Sequence, residues 1–348
     1  MKFSQEIINW YLINKRDLPW RETSDPYIIW LSEIIMQQTR VEQGMPYFRR
    51  FAENYPTVAD FASASEDEIL KQWQGLGYYS RGRNMHQTAQ MVMEEHAGYF
   101  PKKYEELLKL KGVGEYTAAA ISSFSANEAK AVVDGNVFRL LSRYFGIDTP
   151  INSGTGKKLF TNLANEVMDR NQAGIYNQAA MEFGSLQCKP VKPLCQLCPL
   201  QSGCDAYRTN RVGELPVKLK NQKIRDRYLI FVVAAKGESV LMHKRGTNDI
   251  WRNLYQLPLF ETDSAAGIEG LLQDPQFIKA FGPDVALKSI SNPVKHLLSH
   301  QRLHARFIEI TGFIHPQSDY NGYFYADAQD LATLAQPKLI FEFLEKFF

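Results

Sequence analysis

The chain has 348 residues, 45% of them hydrophobic, with 40 basic against 38 acidic side chains and a formal charge of +2. That length supports two or three cores, the apolar content excludes a disordered chain, and the near balance of charge excludes recognition of a polyanion by bulk charge, so any basic surface is local. No run approaches the roughly 18 apolar residues of a membrane span, and the amphipathic opening "MKFSQEIINWYLINKRDLPW" lacks a secretion signal's apolar stretch and cleavage site, so a cytoplasmic protein with no membrane partner is expected.

The first 205 residues read as helix after helix. In "SDPYIIWLSEIIMQQT" Asp25 is a natural cap and Pro26 takes the first helical position. In "SEDEILKQW" Ser65 is answered three residues on by Glu68, the pattern of a capping box. Further periodic segments cover about 80–95, 104–110, 115–124, 134–145, 155–169 and 174–184.

In "KGVGEYTAAA" one helix has ended and another begins, with Gly112 and Gly114 bracketing Val113. Glycine costs a helix about 1 kcal/mol relative to alanine, so both glycines are read as giving the turn its shape. Amides left unpaired at a helix N-terminus make an anion site, and for a two-helix hairpin a nucleic-acid phosphate is the natural anion. A plain helix corner with closely packed glycines fits the same letters.

All four cysteines, Cys188, Cys195, Cys198 and Cys204, fall in one C-x6-C-x2-C-x5-C segment. Clustering of this kind in a reducing compartment points to ligation of a metal or cluster, not to disulfides. The single C-x2-C pair is half of the usual structural zinc pattern, and four thiolates in one loop also suit a [4Fe-4S] cluster, so both remain open on spacing.

Residues 206–226, "AYRTNRVGELPVKLKNQKIRD", are basic and poor in apolar periodicity and read as a linker. Beyond them the texture turns to strands: "RYLIFVVAA", "SVLMHKR", "LYQLPLF" and "LHARFIEITGFI", closed by an amphipathic helix, "KLIFEFLEKFF". The expected organisation is a helical region at 1–205, the linker, and an α+β domain at 227–348.

Together the hairpin and the cysteine spacing resemble the helix-hairpin-helix DNA glycosylases. "LPWR", "LSEIIMQQT", "GLGYYSRGRN", "KGVGEYTAAAI", "VVDGNVFRLLSR" and "YNQAAMEFGSLQC", in order over residues 18–204, resemble the adenine-specific MutY branch. The resemblance implies an all-α catalytic domain whose cysteines hold a [4Fe-4S] cluster, with Lys189 and Lys192 on a loop that touches the DNA backbone. It also implies a double-stranded DNA partner carrying adenine opposite 8-oxoguanine or guanine, bound by a monomer.

Cutting an N-glycosidic bond needs a proton for the leaving base and negative charge beside the cationic sugar, which two carboxylates in unlike surroundings supply. Glu33, in an apolar helix, would stay protonated as an acid; Asp134, at a helix N-terminus, would stay ionised. Taken singly, each also reads as an ordinary residue, a paired glutamate or a helix cap. The resemblance implies that Glu33 protonates adenine at N7. Asp134 would stabilise the sugar, by charge or by transient covalent attachment, with Asn136 and Tyr116 as hydrogen-bonding neighbours. Carried over in the same way, Gln38, Leu76 and Tyr78 wedge into the duplex when the base is flipped out, while Trp20, Arg21 and Gln178 line the adenine pocket.

The C-terminal region resembles the Nudix-like recognition domain of these enzymes but has no metal-binding Nudix helix motif, so no phosphohydrolase activity is expected. Its "KHLLSHQ" is similar to the family's H-x-F-S-H loop: His296, Ser299 and His300 match, Leu298 replaces phenylalanine, and Ser299 and His300 are expected to read 8-oxoguanine. Two rivals stand beside this reading. An endonuclease III-like lyase would need a lysine amine where Tyr116 stands, and a non-catalytic iron–sulfur DNA-damage-binding protein would not need both Glu33 and Asp134.

Overall fold

The computed structural model describes residues 2–219, 224–264, 268–314 and 322–348; residues 220–223 of the expected linker lie outside it. The chain divides into two compact units, Met1–Ala64 with Arg83–Lys220, and Ser65–Gly82 with Asn221–Phe348.

The described helices up to the cysteines are α1 (Lys2–Asn14), α2 (Pro26–Met36), α3 (Val41–Asn54), α4 (Val58–Ser63), α5 (Glu66–Gln72), α6 (Ser80–Glu95), α7 (Tyr104–Leu107), α8 (Glu115–Ala126), α9 (Gly135–Phe145), α10 (Gly154–Val167) and α11 (Ala173–Leu186). The start signals work as expected. Asp25 accepts from the Tyr27 amide with Pro26 following, and Ser65 and Glu68 form both halves of a capping box. One core of the first unit gathers Phe3, Ile7 and Ile8 of α1, Leu140 of α9, Phe160 of α10, and Tyr176 and Phe183 of α11. At about 1.5–3 kcal/mol for each large side chain buried, this core carries much of the unit's stability.

Small residues let the site-bearing helices approach. Ala118, Ala119 and Ala120 of α8 are buried, and α8 packs on both α2 and α11. Where α9 meets α11, a Cβ on Gly184 would lie 2.7 Å from Asn136, so this crossing requires glycine.

Among its described residues the second unit has an eight-stranded sheet: β1 (Arg225–Lys236), β2 (Ser239–Lys244), β3 (Tyr255–Gln256), β4 (Leu259–Thr262), β5 (Ala286–Ile290), β6 (Val294–Leu297), β7 (Gln301–Thr311) and β8 (Phe324–Ala326). β1 and β7 run parallel, with Phe231 opposite Phe307, and β6 and β7 form an antiparallel hairpin. The closing helix, Lys338–Phe347, buries Leu339, Ile340 and Leu344 on the face carrying Leu229, Phe231 and Phe307, and the helix Pro275–Phe281 covers the other face.

Four expectations change. The helix expected at 104–110 is a single turn. "LYQLPLF" splits into two strands around Pro258, which has no amide to donate and whose carbonyl accepts from Val232. The described part of the linker is tied down: Asp205–Arg208 is helical, Arg143 donates to the Leu215 carbonyl at 3.0 Å and Ile151 to that of Val217 at 3.0 Å. Finally, residues 65–82 pack with the second unit, where Asp67 accepts from Lys244 at 2.7 Å and from Tyr255 at 2.9 Å, and Tyr79 donates to the Gln336 carbonyl at 2.9 Å.

Candidate active site

A cavity of about 690 Å³ in the first unit is lined by Trp20, Arg21, Glu33, Gln38, Tyr116, Asp134 and Asn136, all singled out in the sequence, and by Arg16, Glu182 and Ser185, which were not. It forms where α2, α8, α9 and α11 converge, with Ser32 and Glu33 from α2, Tyr116 from α8, Asp134 and Asn136 from the start of α9, and Glu182 and Ser185 from α11.

Glu33 is 8% exposed, and its Oε2 accepts the Tyr116 hydroxyl at 2.7 Å. Burial pushes its carboxyl up to about 7; the Tyr116 hydrogen bond opposes that, the charge of Asp134 adds to it and the Arg21 guanidinium opposes it. Near neutrality Glu33 therefore exists as a mixture of protonated and ionised forms, where an ordinary glutamate would be almost wholly ionised.

Asp134 caps α9, accepting from the Asn136 amide at 2.9 Å, the Val137 amide at 2.8 Å and the Asn136 side chain at 2.7 Å. The cap and the site residue are thus one side chain. The helix end does not set its acidity alone: burial raises the Asp134 carboxyl above its ordinary value, against these donors and the charge of Arg139. Three donors on one carboxylate still suit the ionised form. Arg139 continues the chain of bonds, donating to Asn136 at 2.8 Å and to the Cys188 carbonyl at 2.8 Å.

On the cavity's other wall the Glu182 carboxylate, 1% exposed, accepts from Arg16 through its backbone amide, Nε and a terminal nitrogen at 2.6–2.9 Å, and from both terminal nitrogens of Arg21 at 2.8–3.0 Å. These donors hold it down to about 2 against its burial. Arg21 also lies over the Tyr11 ring at 5.5 Å. Trp20 is fixed edge-on by Phe48 at 4.9 Å. Gln178 does not line the cavity; its Oε1 accepts the Tyr11 hydroxyl at 2.6 Å.

Gln38 sits at φ +56 in the turn Met36–Thr39, closed by the Thr39 amide on the Met36 carbonyl at 3.1 Å. A left-handed non-glycine residue costs about 1–3 kcal/mol, the kind of strain kept where a side chain must project.

The hairpin separates its two glycines. Gly112, at φ +74, would set a Cβ 2.8 Å from Asn84 and cannot be replaced without strain. Gly114, at φ −93, meets nothing within 4 Å, so the shape argument made for both holds for Gly112 alone. Nor is the Val113 amide free for an anion, since it donates to the Leu110 carbonyl at 3.2 Å. The first-turn amides of α8 do remain unspent, because no side chain caps it.

All four cysteines ring a second cavity with Arg143, whose guanidinium donates to the Cys188 sulfur at 3.5 Å and to the Lys189 carbonyl at 2.7 Å. Backbone amides of Leu200, Ala206 and Tyr207 donate to Cys198 and Cys204, the donor set that thiolates accept. Among the described residues no three His, Cys, Asp or Glu side chains stand close enough for one ion. Lys192, exposed at φ +50, tops the loop beside half-buried Lys189.

In the second unit, Tyr78 at φ +47 follows Gly77 at φ +73 and is 48% exposed, while Leu76 is buried. The Tyr78 hydroxyl lies 2.7 Å from the Ser299 hydroxyl. Ser299 and exposed His300 form the tip of the β6–β7 hairpin. His296 stands edge-on to Trp251 at 6.0 Å, and Leu298, in place of phenylalanine, packs on the sheet's core. No described helix is long and apolar enough to cross a membrane.

Residues 31–165 match the family described as HhH-GPD superfamily base excision DNA repair protein, and residues 229–346 match the NUDIX domain. The chain is 33% identical to "Adenine DNA glycosylase" of Buchnera aphidicola subsp. Schizaphis graminum over 348 residues, 99% of this chain and 98% of that protein. It is 41% identical to the Homo sapiens protein of that name over 213 residues, 59% of this chain and 39% of that one. Among solved structures it is similar to a thermostable thymine-DNA glycosylase, with TM-score 0.56 and 29% identity over 60% of this chain and 96% of that one. A helical base-excision domain with Glu33 and Asp134 in one cavity, a Nudix-like domain after it, and a full-length relative at this identity lead to one assignment: the chain belongs to the adenine DNA glycosylase family.

Proposed function

We propose that the protein is a monofunctional glycosylase that acts as a monomer on double-stranded DNA. It excises adenine opposite 8-oxoguanine or guanine and leaves an abasic site. The observation that carries the reading is the pairing, in one cavity, of a buried Glu33 whose carboxyl is raised by that burial with an Asp134 that accepts three hydrogen bonds.

The adenine is flipped from the stack at a cost of a few kcal/mol and enters the cavity. Glu33 gives its proton to N7, the bond from N9 to the sugar breaks, and its electron pair leaves with the base. Asp134 faces the cationic sugar, with Asn136 holding the carboxylate's orientation. Water then adds to the sugar carbon and releases a proton. Lyase chemistry needs an amine nucleophile, and no lysine is among the residues lining the cavity; the Tyr116 phenol is instead engaged with Glu33.

Wedging beside the opposite base falls to Gln38 and exposed Tyr78; Leu76, expected to wedge with them, is buried and instead backs the turn that carries Tyr78. Lesion reading falls to Ser299 and His300, supported by the contact of Tyr78 with Ser299. Gly112, Gly114, Lys189 and Lys192 contact phosphates. Cys188, Cys195, Cys198 and Cys204 hold a [4Fe-4S] cluster, supported by four cysteines of one short segment lining one cavity. When bound, the cluster supplies a rigid cross-link for the loop. Iron and sulfide content of the purified protein test it.

The test of function is incubation with duplexes carrying adenine opposite 8-oxoguanine, adenine opposite guanine, or thymine glycol, resolved with and without alkali. Adenine loss with alkali-dependent breaks supports the proposal; alkali-independent breaks at thymine glycol favour the lyase.

A further inference from the structure

Two guanidinium groups in one wall of a cavity whose opposite wall holds an acid raise a difficulty. Arg16 and Arg21 line the same cavity as Glu33, the Arg21 charge acts on the Glu33 carboxyl, and positive charge favours the ionised carboxylate, which has no proton to give. The charged and titratable groups around the cavity are Arg16 and Arg21 before α2, Arg40 and Glu42 at the start of α3, Tyr116 of α8, Asp134 at the cap of α9, and Glu182 of α11, with Arg139 behind Asn136. Of these, Glu182 alone bonds to both Arg16 and Arg21. Its Oε1 takes three donors and its Oε2 two, so no lone pair remains for a substrate amine.

We propose that Glu182 is a positioning residue for base excision: its carboxylate clamps Arg16 and Arg21 into one wall of the cavity and cancels one of their two charges, so that their field does not ionise Glu33. The inference rests on the proposed role of Glu33 as the acid. It gives a reason for a buried carboxylate that touches no reacting atom, and for two arginines sharing it. Arg21 is the cation felt at Glu33, and all the Glu182 bonds to Arg21 form through its two terminal nitrogens. Removing the Glu182 charge leaves that cation uncompensated at short range in a poorly solvated site, where one unit charge shifts a neighbouring carboxyl by about one pH unit.

The test is the pH dependence of adenine release in single turnovers, for the full chain and three variants. In Glu182→Gln the alkaline limb should move about one pH unit lower, making the loss at pH 8 about tenfold larger than at pH 5.5. Glu182→Asp should restore most of the limb. Glu182→Gln with Arg16→Gln has the parent's net charge, and its limb should return toward the parent position even where the absolute rate does not. A carboxyl-carbon NMR titration of Glu33 should move with the limb, independently of turnover.

A uniform rate loss with an unmoved limb, or a double variant whose limb stays displaced, would overturn the proposal and leave Glu182 a packing residue. If Glu182→Gln does not fold, the Glu182→Asp and double variants carry the comparison by the same criteria. A parent protein with no alkaline limb would instead refute Glu33 as the acid, a separate failure.

Discussion

Replacing Glu33 by glutamine should abolish excision and stabilise the protein, in a pH-dependent way. Unfolded, the carboxyl titrates at its ordinary 4.5; folded, burial holds it near 7. A raised folded value means that the stability contribution is complete below pH 4.5 and is lost as pH rises through 7, because above 7 the native state must carry a buried negative charge. At 1.36 kcal/mol per pH unit the loss is about 3 kcal/mol, an upper figure because water reaches the cavity. Glutamine does not titrate and can still accept the Tyr116 hydroxyl. The variant should therefore gain on the parent by up to about 3 kcal/mol between pH 4.5 and pH 8, which for a unit of this size is roughly 6–12 °C in unfolding temperature. Thermal unfolding of both proteins at pH 4.5 and 8, followed in the helical signal, measures the gap; the same samples should lose adenine release by at least about a hundredfold. A gap of equal size at both pH values would refute the argument that Glu33 is a buried, proton-holding acid.

Tyr116→Phe removes a donor that favours the ionised Glu33, so the alkaline limb of the pH profile should move up by about one unit, opposite in sign to Glu182→Gln. Gly112→Ala should cost about 1–3 kcal/mol in thermal unfolding because of its φ of +74 and the contact with Asn84. Gly114→Ala should unfold within about 0.5 kcal/mol of the parent yet bind duplex DNA more weakly in a titration, since only a ligand approaches that side. Ser299→Ala with His300→Ala should bring the excision ratio for 8-oxoguanine over guanine toward one; an unchanged ratio would remove the lesion-reading role from this hairpin.

Much of the architecture was legible because it is written locally. The caps at Asp25, Ser65 and Asp134 are sequence-adjacent bonds, and the change from helical to strand periodicity after residue 226 needs no tertiary knowledge. The failures are non-local. Glu182 looks like any helical glutamate, and its partners Arg16 and Arg21 lie more than 160 positions away. The one available hint is a lone charge within the apolar run "AAMEFGSL". Gly112 and Gly114 are the same letter in the same turn, and only the backbone angle and the neighbouring Asn84 tell them apart. Residues 65–82 carry ordinary helix signals, yet pack with the sheet-containing unit because Asp67 meets Lys244 and Tyr255. The helix end at Asp134 predicts an ionised carboxylate, whereas burial, a tertiary property, is the larger influence on its carboxyl.

The central claim is that Glu33 and Asp134 release an adenine from duplex DNA without cutting the strand. The direct measurement is product analysis on a duplex with adenine opposite 8-oxoguanine, comparing the parent with Glu33→Gln, before and after alkali. The account predicts free adenine and alkali-dependent breaks from the parent and neither from the variant. Adenine release by Glu33→Gln at the parent's rate, or strand breaks before alkali, would contradict it.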